Sequence, residues 1–413
     1  MRAALLALVV ASLAGCDGIL GIHDLDGDGT SGNGTSGAGN GGGHVDASAA
    51  GEGGGTSDAS SSVARDGATA SAEGGAGTSE SGACAPSCTG KACGADNGCG
   101  GACATGTCAS GATCSAGVCA TVAVLFGGAG ASGNLDDTWT WNGSAWAQVP
   151  VTGPSARYDA MMAAFDGTVV LFGGTDGTTY FSDTWVWDGA TWTSFSGSGP
   201  SGRAGGAAVA LSAGVVLFGG YSTPGSFLGD MWSWSGKGWT QLSTTSSGPT
   251  ARGNPCAAAV NGVMLLFSGN DASGYIEQDD TWTWDGSAWA SLTETTSPPA
   301  RTGGACAAFG TSVVAFGGTN QTDLDPPYSS PSFPTTLGDT WTWTGGSWAS
   351  SKGAGPGARA SASMATLDGK AVLFGGNGTA ALMGDTWTWD GTSWTMLGVP
   401  SPPARSGAAM ASP

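Results

Sequence analysis

Val216-Leu217-Phe218-Gly219-Gly220 closes an apolar run on a glycine pair, and Gly384-Asp385-Thr386-Trp387-Thr388-Trp389-Asp390-Gly391 sets two tryptophans two residues apart before a turn. Both stretches belong to one unit that the chain writes six times. A copy runs through an apolar stretch ending in Phe-Gly-Gly, a variable loop and Asp-Thr-Trp-x-Trp. A short turn, a third Trp, Pro-x-Ala-Arg and a small-residue segment complete it. A repeat at this period decides the architecture before any local propensity does.

The columns align without gaps in order. The Phe-Gly-Gly marker falls at Phe126, Phe172, Phe218, Phe267 (as Phe-Ser-Gly), Phe316 and Phe374. The acid before the tryptophan pair is Asp137, Asp183, Asp230, Asp280, Asp339 and Asp385, and the third tryptophan is Trp146, Trp192, Trp239, Trp289, Trp348 and Trp394. An arginine follows each time, at Arg157, Arg203, Arg252, Arg301, Arg359 and Arg405.

Each copy divides into four short strands. In one of them, Ala160 to Phe165 is small and apolar, Asp166-Gly167 turns the chain, and Val169-Val170-Leu171-Phe172 ends on Gly173-Gly174. Asp-Thr-Trp-x-Trp alternates with period two, which puts both tryptophans on one face. A second tight turn returns the chain through the third Trp. Four strands in a unit of about 46–58 residues match one blade of a β-propeller.

Glycines closing a strand, an aromatic pair at i and i+2 and a Trp about five residues later make the unit resemble the kelch repeat. The resemblance covers residues 121–413 and implies an all-β, six-bladed propeller. The array opens on the second strand of a blade and finishes on an unpaired first strand at residues 405–412. These halves complete one blade, so the C-terminus is expected to close the ring beside residues 122–128, which removes exposed sheet edges. Small residues on the first strand suit a crowded inner wall. Tryptophans widen the outer part of each wedge; burying one contributes at most about 4–6 kcal/mol, from about 150–250 Å² at about 25 cal/mol per Å². The eighteen tryptophans, three per copy, therefore read as core and not as a carbohydrate platform.

Outside the array, composition changes sharply. Residues 1–15 carry one Arg, a short apolar run and small residues, the pattern of a secretory signal. Leu13-Ala14-Gly15-Cys16 resembles a bacterial lipobox, which implies cleavage before Cys16 and lipid on that residue. Residues 16–82 are mostly Gly, Ser, Ala, Thr and Asp, too polar to form a core, and read as a tether reaching roughly 40–50 Å. Residues 83–120 hold Cys84, Cys88, Cys93, Cys99, Cys103, Cys108, Cys114 and Cys119, an even set read as a disulfide-rich module with its pairing left open. Cys256 and Cys306 fall on opposite faces of neighbouring blades, where a disulfide is geometrically allowed and two buried thiols are the alternative.

A net charge of −19 with only twelve Lys and Arg argues against nucleic acid, because neutralising phosphates needs clustered cations. Galactose oxidase is the best-known kelch enzyme, and its copper site needs two His ligands. The histidines here are His23 and His44, both in the tether, so copper-radical chemistry is disfavoured and no metal or cofactor is expected. Each alignable acid recurs in every copy, whereas catalytic residues usually break a repeat's symmetry.

Strand alternation places the Arg and Asp columns on one side of the ring. Two readings stand: a structural pair in each blade, or a ring of arginines facing an anion. The variable connections lie on that same side. The longest connection spans residues 319–338 and contains Asp323, Asp325, Tyr328 and Phe333. Variable loops on a rigid scaffold usually carry binding, so the six arginines with these four residues form the candidate binding face. The expectation is a monomeric propeller, exported and lipid-anchored in a bacterial envelope at the outer membrane, surface or periplasmic side. It would bind a protein or glycan. The alternatives are a carboxylate-dependent carbohydrate-active hydrolase or lyase and a structural envelope protein.

Overall fold

The computed structural model describes residues 121–243, 247–271, 278–293, 296–320 and 335–413, together with the backbone of Ala112–Ser115 and Val118–Thr121. Those last two strands pair antiparallel, with Cys114 opposite Cys119 in the register. Cys16, Cys84, Cys88, Cys93, Cys99, Cys103 and Cys108 lie outside the described residues, as do Asp323, Asp325, Tyr328 and Phe333.

Six four-stranded antiparallel sheets follow, one per copy of the repeat. The second blade is typical: Met161–Phe165, Thr168–Phe172, Thr184–Trp187 and Trp192–Phe195, in spatial order. The first strands of successive blades touch one another in a closed cycle and line the central channel. Ring closure is as the repeat boundaries require. Ala409–Ala411 pairs with Ala123–Phe126, setting Phe126 against Ala409 and Val124 against Ala411. The first blade is thus built from both ends of the array.

The apolar core is six layers, one between each pair of neighbouring blades. Period-two alternation explains this. Each strand sends successive side chains to opposite faces, and one face of a blade is covered by the preceding blade and the other by the following one. The second and third tryptophans of each copy are cross-strand partners, Trp187 opposite Trp192 for example. In that pair the ring centroids are 5.4 Å apart.

The third tryptophan reaches across the blade interface. Its ring packs on the Phe that ends the second strand of the preceding blade, at 5.0–5.6 Å in all six interfaces. Its indole N–H donates to the threonine of the preceding blade's Asp-Thr-Trp at 2.9–3.0 Å, Trp192 to Thr138 being one of five such bonds. In the third blade Met231 replaces that threonine, and Trp289 meets its sulfur at 3.1 Å. The second tryptophan has no such role: Trp141, Trp187, Trp284, Trp343 and Trp389 bury an indole N–H without a partner.

Cys256 and Cys306, on adjacent first strands of the fourth and fifth blades, stand at disulfide distance with Cα atoms 5.5 Å apart.

Candidate binding face at the channel mouth

The turns joining first to second and third to fourth strands lie on one side of the ring, and the variable loops on the other. The loop side is braced by the Arg and Asp columns. Each guanidinium is buried, with a side-chain exposure of 0–2%. It grips the aspartate of its own blade bidentately, at 2.5–2.7 Å from NH1 and 2.8–3.0 Å from NH2. NH1 also donates to the carbonyl of the residue after Phe in the Phe-Gly-Gly marker, at 2.9–3.2 Å. The first Trp of the pair donates its N–H to the same aspartate at 2.6–2.8 Å. In the first blade the pair is Arg405 with Asp137, so this bond ties the end of the array to its beginning.

These bonds set the charge state. Burial alone would raise the carboxyls, but hydrogen bonds from the arginine and the tryptophan outweigh it. They hold Asp137, Asp230, Asp280, Asp339 and Asp385 below the ordinary value. The reading of the six arginines as a ligand-facing ring is therefore corrected. Arg157, Arg203, Arg252, Arg301, Arg359 and Arg405 are enclosed, and their donors are taken by the protein itself, so they hold the loops and do not present charge.

The arginines also join neighbouring blades through their backbone. The Arg203 carbonyl accepts the Gly174 amide of the preceding blade at 2.9 Å. It sits so close to Gly173, at φ +67°, that a side chain there would collide with it. Hence the glycine pair: left-handed backbone and close approach are needed together. Ser268 occupies the corresponding place in the fourth blade at φ +67°, with its hydroxyl buried and unpartnered.

Two residues after each arginine comes a second ring that the repeat motifs do not reveal. Asp159, Gly205, Asn254, Gly303, Ser361 and Gly407 all have φ between +49° and +65°. The amide of each donates to the carbonyl of its counterpart in the preceding blade, at 2.6–3.1 Å, and the six bonds close on themselves around the axis. This belt rims a cavity of about 140 Å³ at the channel mouth, above a second of about 200 Å³ between the first strands. Side chains alternate with glycines around the belt. The arrangement is steric: Asp159 Oδ1 fills the place a Cβ on Gly407 would need, and Asn254 Oδ1 does the same at Gly205. Asp159, Asn254 and Ser361 therefore ring the mouth on alternate blades, an approximately threefold set of oxygen-bearing side chains. Non-glycine residues held at positive φ concentrate at functional sites.

Three tyrosines flank this belt between the second and third blades. Tyr221 donates its hydroxyl to Asp159 Oδ2 at 2.8 Å. Tyr180 meets Tyr221 edge-on, with ring centroids 5.7 Å apart. Tyr158, next to Asp159, pairs through its backbone with Thr175. Burial, reinforced by the Asp159 charge, pushes the Tyr221 phenol well above its usual range and raises that of Tyr180. Both therefore stay protonated donors. Asp159 is the sole carboxylate among the residues lining the mouth.

Of the candidate face read from sequence, the structure places the arginines beneath the surface. The base of the longest loop, Thr319–Asn320 paired with Thr335–Thr336, lies on the loop side. Asn320 is buried there with its Oδ1 unpartnered. The belt and the tyrosine group were missed, although comparing the copies two positions past each arginine gives Asp, Gly, Asn, Gly, Ser, Gly.

A family model described as the KLHDC2/KLHL20/DRC7 Kelch-repeats domain matches residues 104–233 and 190–330, together more than half of the chain. The sixth blade lies beyond both matches yet repeats the same four strands and the same ion pair. No curated protein matches the chain.

Proposed function

Because the chain belongs to the kelch-repeat family, we propose that its propeller is a binding scaffold whose loop face takes a protein or glycan partner. One observation carries this reading. The columns that repeat in every blade are consumed in holding the ring together, and a group of polar and aromatic residues that differ between blades lies together at the channel mouth. Tyr158, Asp159, Tyr180, Tyr221, Asn254 and Ser361 are all found on the loop side, on or beside the belt. Rigid aromatic side chains with a polar tip are favoured where one protein meets another. A hydrolase working with paired carboxylates needs a second acid facing the first, and the mouth offers only Asp159 among its lining residues.

The N-terminal part completes the proposal. Cys16 carries lipid, residues 16–82 act as tether, and the cysteine-rich segment spaces the ring from an envelope membrane. This rests on the signal-like residues 1–15 and on the cysteine content, which suits an oxidising compartment.

Binding is tested by capture from cell-surface protein and glycan fractions with the full chain. Capture should fall to background when residues 321–336 are deleted, and unchanged capture by a folded deletion variant contradicts the loop-face assignment. The anchor is tested separately. Cys16→Ser should move the protein from the membrane fraction to the soluble one, and continued membrane attachment contradicts lipidation at that residue.

A further inference from the structure

We propose that Ser268 and the Cys256–Cys306 pair form one device at the interface of the fourth and fifth blades. The serine is a wedge that spreads the interface, and a disulfide between the cysteines is a clasp that a small dithiol entering the channel opens. The device is independent of what the loop face binds.

The wedge follows from the glycines it replaces. The other five blades carry glycine at this place, at Gly127, Gly173, Gly219, Gly317 and Gly375. A Cβ on any of them would lie within 2.7 Å of the arginine carbonyl oxygen of the following blade. Ser268 has that Cβ, at φ +67°, so the backbone of Arg301 must stand off. Three bonds between the fourth and fifth blades record this. The Gly269 amide donates to the Arg301 carbonyl at 3.0 Å, against 2.8–2.9 Å at the other five interfaces. The Arg301 amide meets the Gln278 carbonyl at 3.4 Å, against 3.0–3.1 Å elsewhere. In the belt the Gly303 amide meets the Asn254 carbonyl at 3.1 Å, against 2.6–2.9 Å elsewhere. Each is the longest of its set, and the second lies beyond the usual range of about 2.7–3.2 Å.

The clasp sits where the wedge acts. Cys256 and Cys306 are the sole cysteines of residues 121–413. They face each other on adjacent first strands with Cα atoms 5.5 Å apart, inside the range of about 4.4–6.8 Å that a disulfide spans. Cys256 is the cross-strand partner of Phe267, the residue before Ser268. A cross-link restricts the open states of the chain it joins, and this one joins the interface whose own backbone bonds are longest.

Both cysteines line the cavity of about 200 Å³ between the first strands. Cys256 is buried and Cys306 half-buried, so the Cys306 sulfur is the one open to attack. One thiolate of the dithiol attacks Cys306 Sγ, and Cys256 Sγ leaves and takes up a proton. The second thiolate attacks the mixed disulfide, Cys306 Sγ leaves and is protonated in turn, and the dithiol departs as a cyclic disulfide. Two electrons and two protons pass to the protein, and the wedge is then unopposed.

The test is hydrogen–deuterium exchange of the full chain with dithiothreitol as the probe. Segments 264–270 and 299–305 hold the Gly269, Arg301 and Gly303 amides. Segments 170–176 and 201–207 hold their counterparts Gly174, Arg203 and Gly205 at the interface of the second and third blades. Dithiothreitol should speed exchange about tenfold or more in the first two segments and less than about twofold in the others. With Cys256→Ala and Cys306→Ala together, exchange in the first two should already be fast and dithiothreitol should add nothing, which separates the clasp from the cysteine-rich segment. Reduced protein carrying Ser268→Gly should exchange there about fivefold more slowly than reduced unaltered protein, because left-handed strain is relieved. Alkylation of both cysteines by iodoacetamide before any reductant, an unchanged rate in the first two segments, or equal acceleration at both interfaces overturns the clasp. Equal rates in the reduced Ser268→Gly and unaltered proteins overturn the wedge. The dithiothreitol comparison uses the unaltered chain, so it decides the matter even where the alanine variant does not fold.

Discussion

Arg203 has no exposed side-chain surface, yet it reaches five groups: two oxygens of Asp230, the Gly219 carbonyl, and the carbonyl and hydroxyl of Ser201. Such a pair is strong only while both partners stay charged, because a buried ion without its counter-charge is costly. Asp137, Asp230, Asp280, Asp339 and Asp385 titrate from folded-state values below the ordinary 3.8. A depressed carboxyl adds stability that is complete above the unfolded value and drains away as pH falls through the folded one. Thermal melts should therefore show a nearly constant midpoint from neutrality to about pH 5 and a steep fall below about pH 4. A midpoint unchanged down to pH 3 would mean these five pairs contribute nothing. At Ser268 the prediction has the opposite sign. A left-handed non-glycine residue costs about 1–3 kcal/mol, and this one also buries a lone hydroxyl. Ser268→Gly should stabilise the protein by about 1 kcal/mol in urea melts, and destabilisation would show that the hydroxyl has a partner of its own. The Arg–Asp pairing was legible in the sequence, because both columns recur six times and alternation sets them on one side. The arginine carbonyl as the link between blades was not legible, since backbone bonds leave no mark on side-chain identity.

At the scale of the strand, the two tightly buried tryptophans of each blade look alike in sequence and act differently. Trp192 is bound to Thr138 of the preceding blade and packed on Phe126. Trp187 is its cross-strand partner with an N–H that bonds to nothing. Replacing either by Phe loses similar apolar area. Trp192→Phe also strands the buried Thr138 hydroxyl, whereas Trp187→Phe removes an unsatisfied donor. Trp192→Phe should therefore cost about 1–2 kcal/mol more than Trp187→Phe in equilibrium unfolding. Equal costs would mean that the bond to Thr138 is worth nothing net. The burial of the tryptophans follows from their spacing. Which of them locks blade to blade follows only from seeing that the fourth strand leans on the preceding blade's Asp-Thr-Trp.

At the scale of the whole ring, symmetry separates architecture from use. Six copies agree at the positions that build a blade, and this agreement made the blade count, the closure by residues 405–412 and the sidedness of the loops readable in advance. The candidate site was harder to read because it is defined by disagreement between copies. Loop length drew attention to residues 319–338, while the belt at Asp159, Asn254 and Ser361 hides inside a stretch whose neighbours are nearly all small. The arginine column, the most conspicuous charged feature of the repeat, turned out to be enclosed. The most direct test of the loop face places a photo-crosslinking amino acid in the full chain at Thr178 or Ser226, both exposed on the loop side, and in turn at Lys237 or Lys370, both exposed on the turn side. After irradiation with cell-surface protein and glycan fractions, discrete adducts should form from Thr178 and Ser226 and not from Lys237 and Lys370. Adducts of equal yield from both sides, or from the turn side alone, would contradict the account.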